Sequence, residues 1–164
     1  MSRDNREDLI AAVGLESRRY QNAQDAFDDI AVARLGINRT DGRCLDILDQ
    51  HARLTAGELA RESGLSSGAL TTLLDRLERH GYVRRVRDTG DRRRVFVELT
   101  DEARRRAGEI WGPIAEAVPA AFDAYSDAEL ETILNFLRFS NEFLAEHTER
   151  IRGLPKAEAG ETRA

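Results

Sequence analysis

The chain has 164 residues, 41% of them apolar and 34% charged, with a formal net charge of -5. That supplies a core for one domain with appended helices, and no run approaches the roughly 18 unbroken apolar residues that span a bilayer. A single cysteine, Cys44, excludes an internal disulfide framework, and the polar start MSRDNREDL has no apolar signal-peptide core, so a cytoplasmic protein with no membrane partner is expected.

In chain order, the first element is a long helix over about residues 5–35. Leu9, Ile10, Val13, Tyr20, Ala23, Phe27, Ile30 and Leu35 recur at helical spacing, and Gly36 is placed to end it. A second helix is expected from Asp41 to His51, with Thr40 as its N-cap and Cys44, Leu45, Ile47 and Leu48 on one face. The stretch TAGELARESGLSSGALTTLLDRLERHG is the best punctuated. Thr55 and Glu58 make a capping box for a short helix that stops at Gly64. Ser66 then caps a helix whose buried stripe is Leu70, Leu73, Leu74 and Leu77, ended by Gly81. Two helices joined by so tight a connection read as a helix-turn-helix.

The periodicity next switches to alternation. Val95, Val97 and Leu99 are expected on one face of a strand, with Arg94, Phe96 and Glu98 on the other, and a partner strand around Tyr82 to Arg87. The intervening D-T-G-D-R carries turn chemistry, with Gly90 free to take positive φ. The fold class is therefore mainly α with a small β-hairpin wing: a winged helix-turn-helix core at about 41–100.

After the hairpin, Thr100 caps a helix opening on Asp101 and Glu102, whose charges suit the helix dipole. Pro113 and Pro119 are expected to bend or break it. Ser126 and Glu129 make a second capping box, opening a long helix with Leu130, Ile133, Leu134, Leu137, Phe143 and Leu144. Gly153 and Pro155 end that helix, and residues 154–164 read as a disordered tail. The long helices at about 5–35 and 101–153 carry more apolar surface than a small lobe can cover. Pairing with a second copy would bury it, so they are expected to be dimerisation helices of a homodimer.

Charge is unevenly placed. From Tyr82 to Val97 there are six arginines against Asp88 and Asp91, making this window about +4 and the rest of the chain about -9. A basic hairpin on an acidic body points to focused contact with an anion.

The pieces L-T-x-x-E-L-A, G-L-S-x-G-A-L-T, D-R-L-E-x-x-G-Y-V-x-R and D-R-R-x-x-x-V-x-L-T all fall within residues 54–103. Together they closely resemble the winged-helix core of the MarR (multiple antibiotic resistance regulator) family of bacterial transcription factors. The resemblance implies one domain over 1–153 that forms a dimer, binds palindromic operator DNA and often answers a small-molecule or oxidant signal. A recognition helix enters the major groove by its N-terminal residues, here Ser67, Gly68, Thr71 and Thr72 with Ser66 at the cap. Many members carry arginine or another long polar residue where this chain has Thr72, so a bidentate guanine contact is not expected there. Arg76 suits either a phosphate or an ion pair within the lobe. On the hairpin the family's D-x-R motif falls on Asp91 and Arg93. The resemblance implies that Arg93 enters the minor groove while Asp91 positions the wing by pairing with a neighbouring arginine. Arg92 and Arg94 are candidates for phosphate contact or internal pairing. Arg84, Arg85 and Arg87 suit a solvated strand face equally well.

Other chemistry is weakly signalled. Cys44 lies on an apolar helix face, which favours a structural thiol over an oxidant sensor. His51, His80 and His147 lack the close pairing that marks a metal site, so no metal or other cofactor is expected. No nucleophile elbow, phosphate loop or carboxylate constellation appears, so an enzyme is not expected. Trp111 and Phe122 are candidate effector contacts between the lobe and the dimer helices. The reading is a homodimeric, ligand-responsive DNA-binding repressor. Its alternatives are a winged-helix module docking on an acidic protein partner, or a metal- or oxidant-sensing regulator.

Overall fold

The computed structural model of the protein describes residues 3–91 and 93–155. Its elements in order are α1 (Arg3–Leu35), α2 (Arg39–His51), β1 (Arg53–Thr55), α3 (Ala56–Ser63), α4 (Ser67–Arg79), β2 (Val83–Arg87), β3 (Val95–Leu99), α5 (Asp101–Phe122) and α6 (Asp127–Arg152). The three strands form one antiparallel sheet in the order β1-β3-β2.

Helix punctuation follows the sequence closely. Gly36, Gly64 and Gly81 all stand at positive φ, between 71° and 75°, where each closes a helix end. Thr55 and Glu58 close the expected box at α3, and Ser66 accepts the Ala69 N–H at 3.3 Å to cap α4. The cap of α2 differs. It is Asn38, two residues before Thr40: its Oδ1 accepts the Asp41 N–H at 2.9 Å, and the Asp41 carboxylate accepts the Asn38 N–H. Asn caps as well as Thr, and the acid three residues on closes the box. Helices α1 and α2 meet so tightly that a Cβ on Gly42 would stand 2.6 Å from Val32 Cγ1.

The core lies between the helix-turn-helix and the sheet. Cys44 and Leu48 of α2, Leu59 of α3 and Leu70, Leu73, Leu74 and Leu77 of α4 pack with Tyr82, Val83, Val97 and Leu99. Tyr82 is buried, and its hydroxyl donates to the Leu35 carbonyl at 2.7 Å, tying the end of α1 to the entry of β2. Arg106 of α5 donates to the same hydroxyl at 3.1 Å, and Glu102 accepts from Arg106 at 2.6 Å.

The sheet departs from expectation in three ways. First, β1 is a third strand, pairing Arg53, Leu54 and Thr55 with Glu98, Val97 and Phe96. Three residues are too few to show alternation, and the chain reaches them through Ala52 at φ 61°. Second, Val95 is 40% exposed while Phe96, expected on the open face, is 7% exposed. The guanidinium carbons of Arg53 and Arg94 lie 4.5 and 5.0 Å from the Phe96 ring centroid, so two cations cover an aromatic face. Third, Gly90 does not use positive φ. The turn is built by its aspartates: Asp88 Oδ1 accepts the Gly90 N–H at 2.9 Å, and Asp91 Oδ1 accepts the Arg93 N–H at 3.0 Å.

Thr100 caps α5 as expected, accepting the Ala103 N–H at 3.1 Å while donating to the Gly81 carbonyl at 2.6 Å. The expected break does not occur, for α5 runs without interruption through Pro113 and Pro119. Each proline removes one backbone donor, and 22 residues of helix tolerate both losses.

Packing divides the chain into two compact units, one up to residue 114 and one from 115 on. In the first, α1 leaves Leu9, Ile10, Val13, Tyr20 and Ile30 exposed. In the second, the Ser126 N–H and hydroxyl both donate to Glu129, and α6 has no buried residue. Leu134, Leu137, Phe139, Phe143 and Leu144 of α6 are all exposed. Of the tail expected over 154–164, residues 156–164 lie outside the described residues.

Candidate nucleic-acid interface

The buried leucines of α4 fix which of its faces is open. With Leu70, Leu73, Leu74 and Leu77 inward, Ser67, Gly68, Thr71 and Thr72 stand exposed on the opposite side, with Ser66 exposed at the cap. Thr71 Oγ1 donates to the Ser67 carbonyl at 2.9 Å, and Thr72 Oγ1 donates to the Gly68 carbonyl at 3.2 Å. Their hydroxyl protons are thus held by the helix. What faces outward is methyl groups and oxygen lone pairs, suited to thymine methyls and to the amino groups of adenine or cytosine. Gly68 has open space where a Cβ would stand, which lets a flat surface approach the helix.

Arg76, the fifth candidate on this helix, is paired within the lobe. Its guanidinium donates through Nε at 2.9 Å and through Nη2 to the carboxylate of Asp41, which is fully buried. Arg76 therefore fastens the recognition helix to the start of α2.

The hairpin arginines separate by partner. Arg84 pairs with Glu98 at 3.2 Å across the strands. Arg85 reaches back to α4 and bonds Asp75 at 2.6 Å and also Glu78; the Asp75 bond, foremost, raises its pKa. Arg94 lies over Phe96 and 3.7 Å from Glu58. Glu58 thus serves both the α3 cap and the wing; the Thr55 hydrogen bonds, more than Arg94, lower its pKa. Arg93 and Arg87 are exposed, and neither guanidinium has a partner among the described residues. Asp91 acts on the wing through the Arg93 backbone N–H. Arg92 lies outside the described residues. The clamps made by Asp75 and Glu78, and the Arg53–Phe96–Arg94 stack, were not legible in advance. They join side chains of different elements, or depend on strand register, which no local pattern sets.

Trp111 and Phe122 do not share a described pocket. Trp111 packs edge-on against Phe27 at 6.2 Å in the first unit, and Phe122 lies 6.1 Å from Tyr125 in the second. A half-open cleft of about 330 Å³ in the first unit is lined by Arg34, Leu35, Arg105, Arg106, Glu109 and Ile110.

Cys44 is fully buried, and that burial pushes its thiol pKa up. A thiolate is the reactive form. Native protein is therefore expected to leave an aromatic disulfide reagent unreduced, and to react with one equivalent after denaturation. Prompt reaction in the folded state would put Cys44 back among candidate sensors. Among the described residues, no group of three or more His, Cys, Asp or Glu is placed to hold a metal ion.

A recognition helix with an open N-terminal face, set beside a hairpin whose tip arginine has no partner among the described residues, defines a winged-helix protein of the nucleic-acid-binding class. Comparison narrows this. The MarR family model matches residues 37–95. The chain is 32% identical over 151 residues to YcgE, an uncharacterised HTH-type transcriptional regulator of Bacillus subtilis, across 92% of this chain and 98% of that relative. Its fold is similar to a MarR family protein from Bacillus stearothermophilus, with a TM-score of 0.64 at 24% identity over 85% of this chain and 97% of that one. A mutant of S. aureus MepR, solved bound to an oligodeoxyribonucleotide, gives a TM-score of 0.55 at 22% identity over 80% and 97% of the two chains. The chain belongs to the MarR family of DNA-binding transcriptional regulators. It is a regulator and not an enzyme.

Proposed function

We propose that this regulator is a homodimeric repressor that binds a palindromic operator and releases it when a small molecule binds. The observation that carries the reading is the open face of Ser67, Gly68, Thr71 and Thr72 beside a wing whose Arg93 has no partner among the described residues. The exposed apolar residues of α1 and of α6 support a dimer, because such surface on a monomer marks an interface. A two-fold dimer sets two recognition helices about 34–36 Å apart when it binds successive major grooves. An effector that prefers a different spacing then releases DNA by shifting the population. Trp111 and Phe122, each more than a third exposed, are our candidate effector contacts. The protein acts in the cytoplasm, where its operator lies.

Footprinting on the duplex next to its own coding sequence tests this. The expected result is a two-fold symmetric protected site whose half-sites lie one helical turn apart, with affinity falling steeply as salt rises. Failure to bind any genomic fragment, even at low salt, would remove the regulator reading.

A further inference from the structure

We infer that Arg87 is a phosphate-binding residue that holds the DNA backbone between the recognition helix and the wing tip. The inference rests on the DNA-binding reading above, and it assigns a contact to a position that the D-x-R motif does not include.

Register gives the direction of the side chain. Arg85 pairs with Val97 and Arg87 with Val95, so both arginines leave the same face of the sheet. Arg85 identifies that face as the one turned to α4, because its guanidinium reaches Asp75 and Glu78. Arg87 therefore projects on the α4 side, one pleat, about 6.6 Å, nearer the turn that carries Arg93. The cross-strand partner Val95 is 40% exposed, whereas Val97, opposite Arg85, is 1% exposed. The body of the lobe therefore covers this face of the sheet at the Arg85 register and leaves it open at the Arg87 register.

Charge makes the position specific. Arg84 and Arg94 project from the other face and meet Glu98 and Glu58, and Arg85 is doubly clamped. Asp88, the nearest acid in sequence, turns to the opposite face, where it binds the Gly90 N–H and feels Arg53 and Arg94. Arg87 has no partner among the described residues. A permanently charged, planar donor left open between two groove-reading elements faces the strand that separates those grooves. Phosphate is the anion there.

The test is a salt titration of binding to two duplexes, the fragment adjoining the protein's own gene and a random-sequence duplex of equal length. Wild type is compared with Arg87→Gln, Arg87→Lys and the paired-arginine control Arg84→Gln. Each phosphate contact contributes about 0.9 to the slope of log affinity against log salt, so a dimer losing two contacts has a slope shallower by about 1.8. Between 50 and 200 mM salt, wild type is then expected to lose about 12-fold more affinity than Arg87→Gln. The loss is equal on both duplexes, Arg87→Lys keeps the wild-type slope, and Arg84→Gln does too. A wild-type slope for Arg87→Gln overturns the inference and leaves the regulator reading intact. A loss confined to one duplex also overturns it, since that is base readout. If wild type binds neither duplex nor any other genomic fragment, the underlying reading fails instead. Arg87 is exposed, so an unchanged melting curve for Arg87→Gln is expected to accompany the result.

Discussion

Replacing Arg76 with leucine is expected to destabilise the first unit by about 3 kcal/mol in urea unfolding, more than replacing Asp41 with leucine. The asymmetry comes from burial. Asp41 is 0% exposed, and without Arg76 its carboxylate keeps, among the described residues, only the Asn38 N–H, at 3.4 Å. A buried charge stripped of its partner costs several kcal/mol, because neither water nor another donor replaces the lost ion. Arg76 has a side chain 35% exposed, so without Asp41 its guanidinium turns to water and the loss is mainly that of the α2 cap. The double variant Asp41→Leu with Arg76→Leu is expected to be more stable than the two single losses added together, since no unpaired charge stays inside. The same series separates two roles for Arg76. If Arg76→Leu unfolds like wild type and instead loses salt-dependent DNA binding, the residue contacts phosphate and the Asp41 pairing does not anchor α4.

That ambiguity shows where sequence stops being informative. The helix-turn-helix was legible because its signals are local: Thr55 with Glu58, Ser66 with Ala69, and glycines at helix ends all act within four residues. The leucine stripe of α4 was legible for the same reason, and it fixed the exposed face that carries Ser67, Gly68, Thr71 and Thr72. The Asp41–Arg76 pair spans 35 residues, and only the packing of α2 on α4 selects it from the two roles Arg76 suited. The wing was half legible. Its strands announced themselves through Val95, Val97 and Leu99, yet β1 is too short to carry a pattern. Phe96 is buried under arginines instead of under apolar groups, so a rule that sends alternate residues to solvent misplaces it. The six arginines looked equivalent by charge alone. What distinguishes them is strand register, which decides that Arg85 reaches Asp75 while Arg84 reaches Glu98. The two prolines of α5 do not break it for a related reason, because a long helix absorbs a local loss that would end a short one.

Replacing Arg93 with alanine is expected to weaken operator binding about 100-fold at physiological salt. A hydrogen bond to a charged group contributes about 1.5 kcal/mol or more, and the proposed dimer loses two such contacts. The wing is prepared for this role. The Asp91 carboxylate holds the Arg93 backbone N–H, and the Asp88 side chain holds the Gly90 N–H, so these two backbone positions are fixed from within the hairpin. The guanidinium has no acid of its own to leave among the described residues, so binding breaks no internal pair. A minor-groove arginine responds to groove width and negative potential, so the loss is expected on every duplex with a narrow groove at that position. Arg93→Lys restores the charge and hence the salt slope, but a compact, strongly hydrated ammonium recovers little of the affinity for a narrow groove. Changing Thr72 is expected to do the opposite, altering which sequences are preferred while leaving the salt slope alone. If Arg93→Ala binds the operator as wild type does, the tip does not enter DNA. The arginine-rich hairpin would then be free to serve an acidic protein partner, an outcome that pull-down with polyglutamate in place of DNA would separate from a wing with no partner at all.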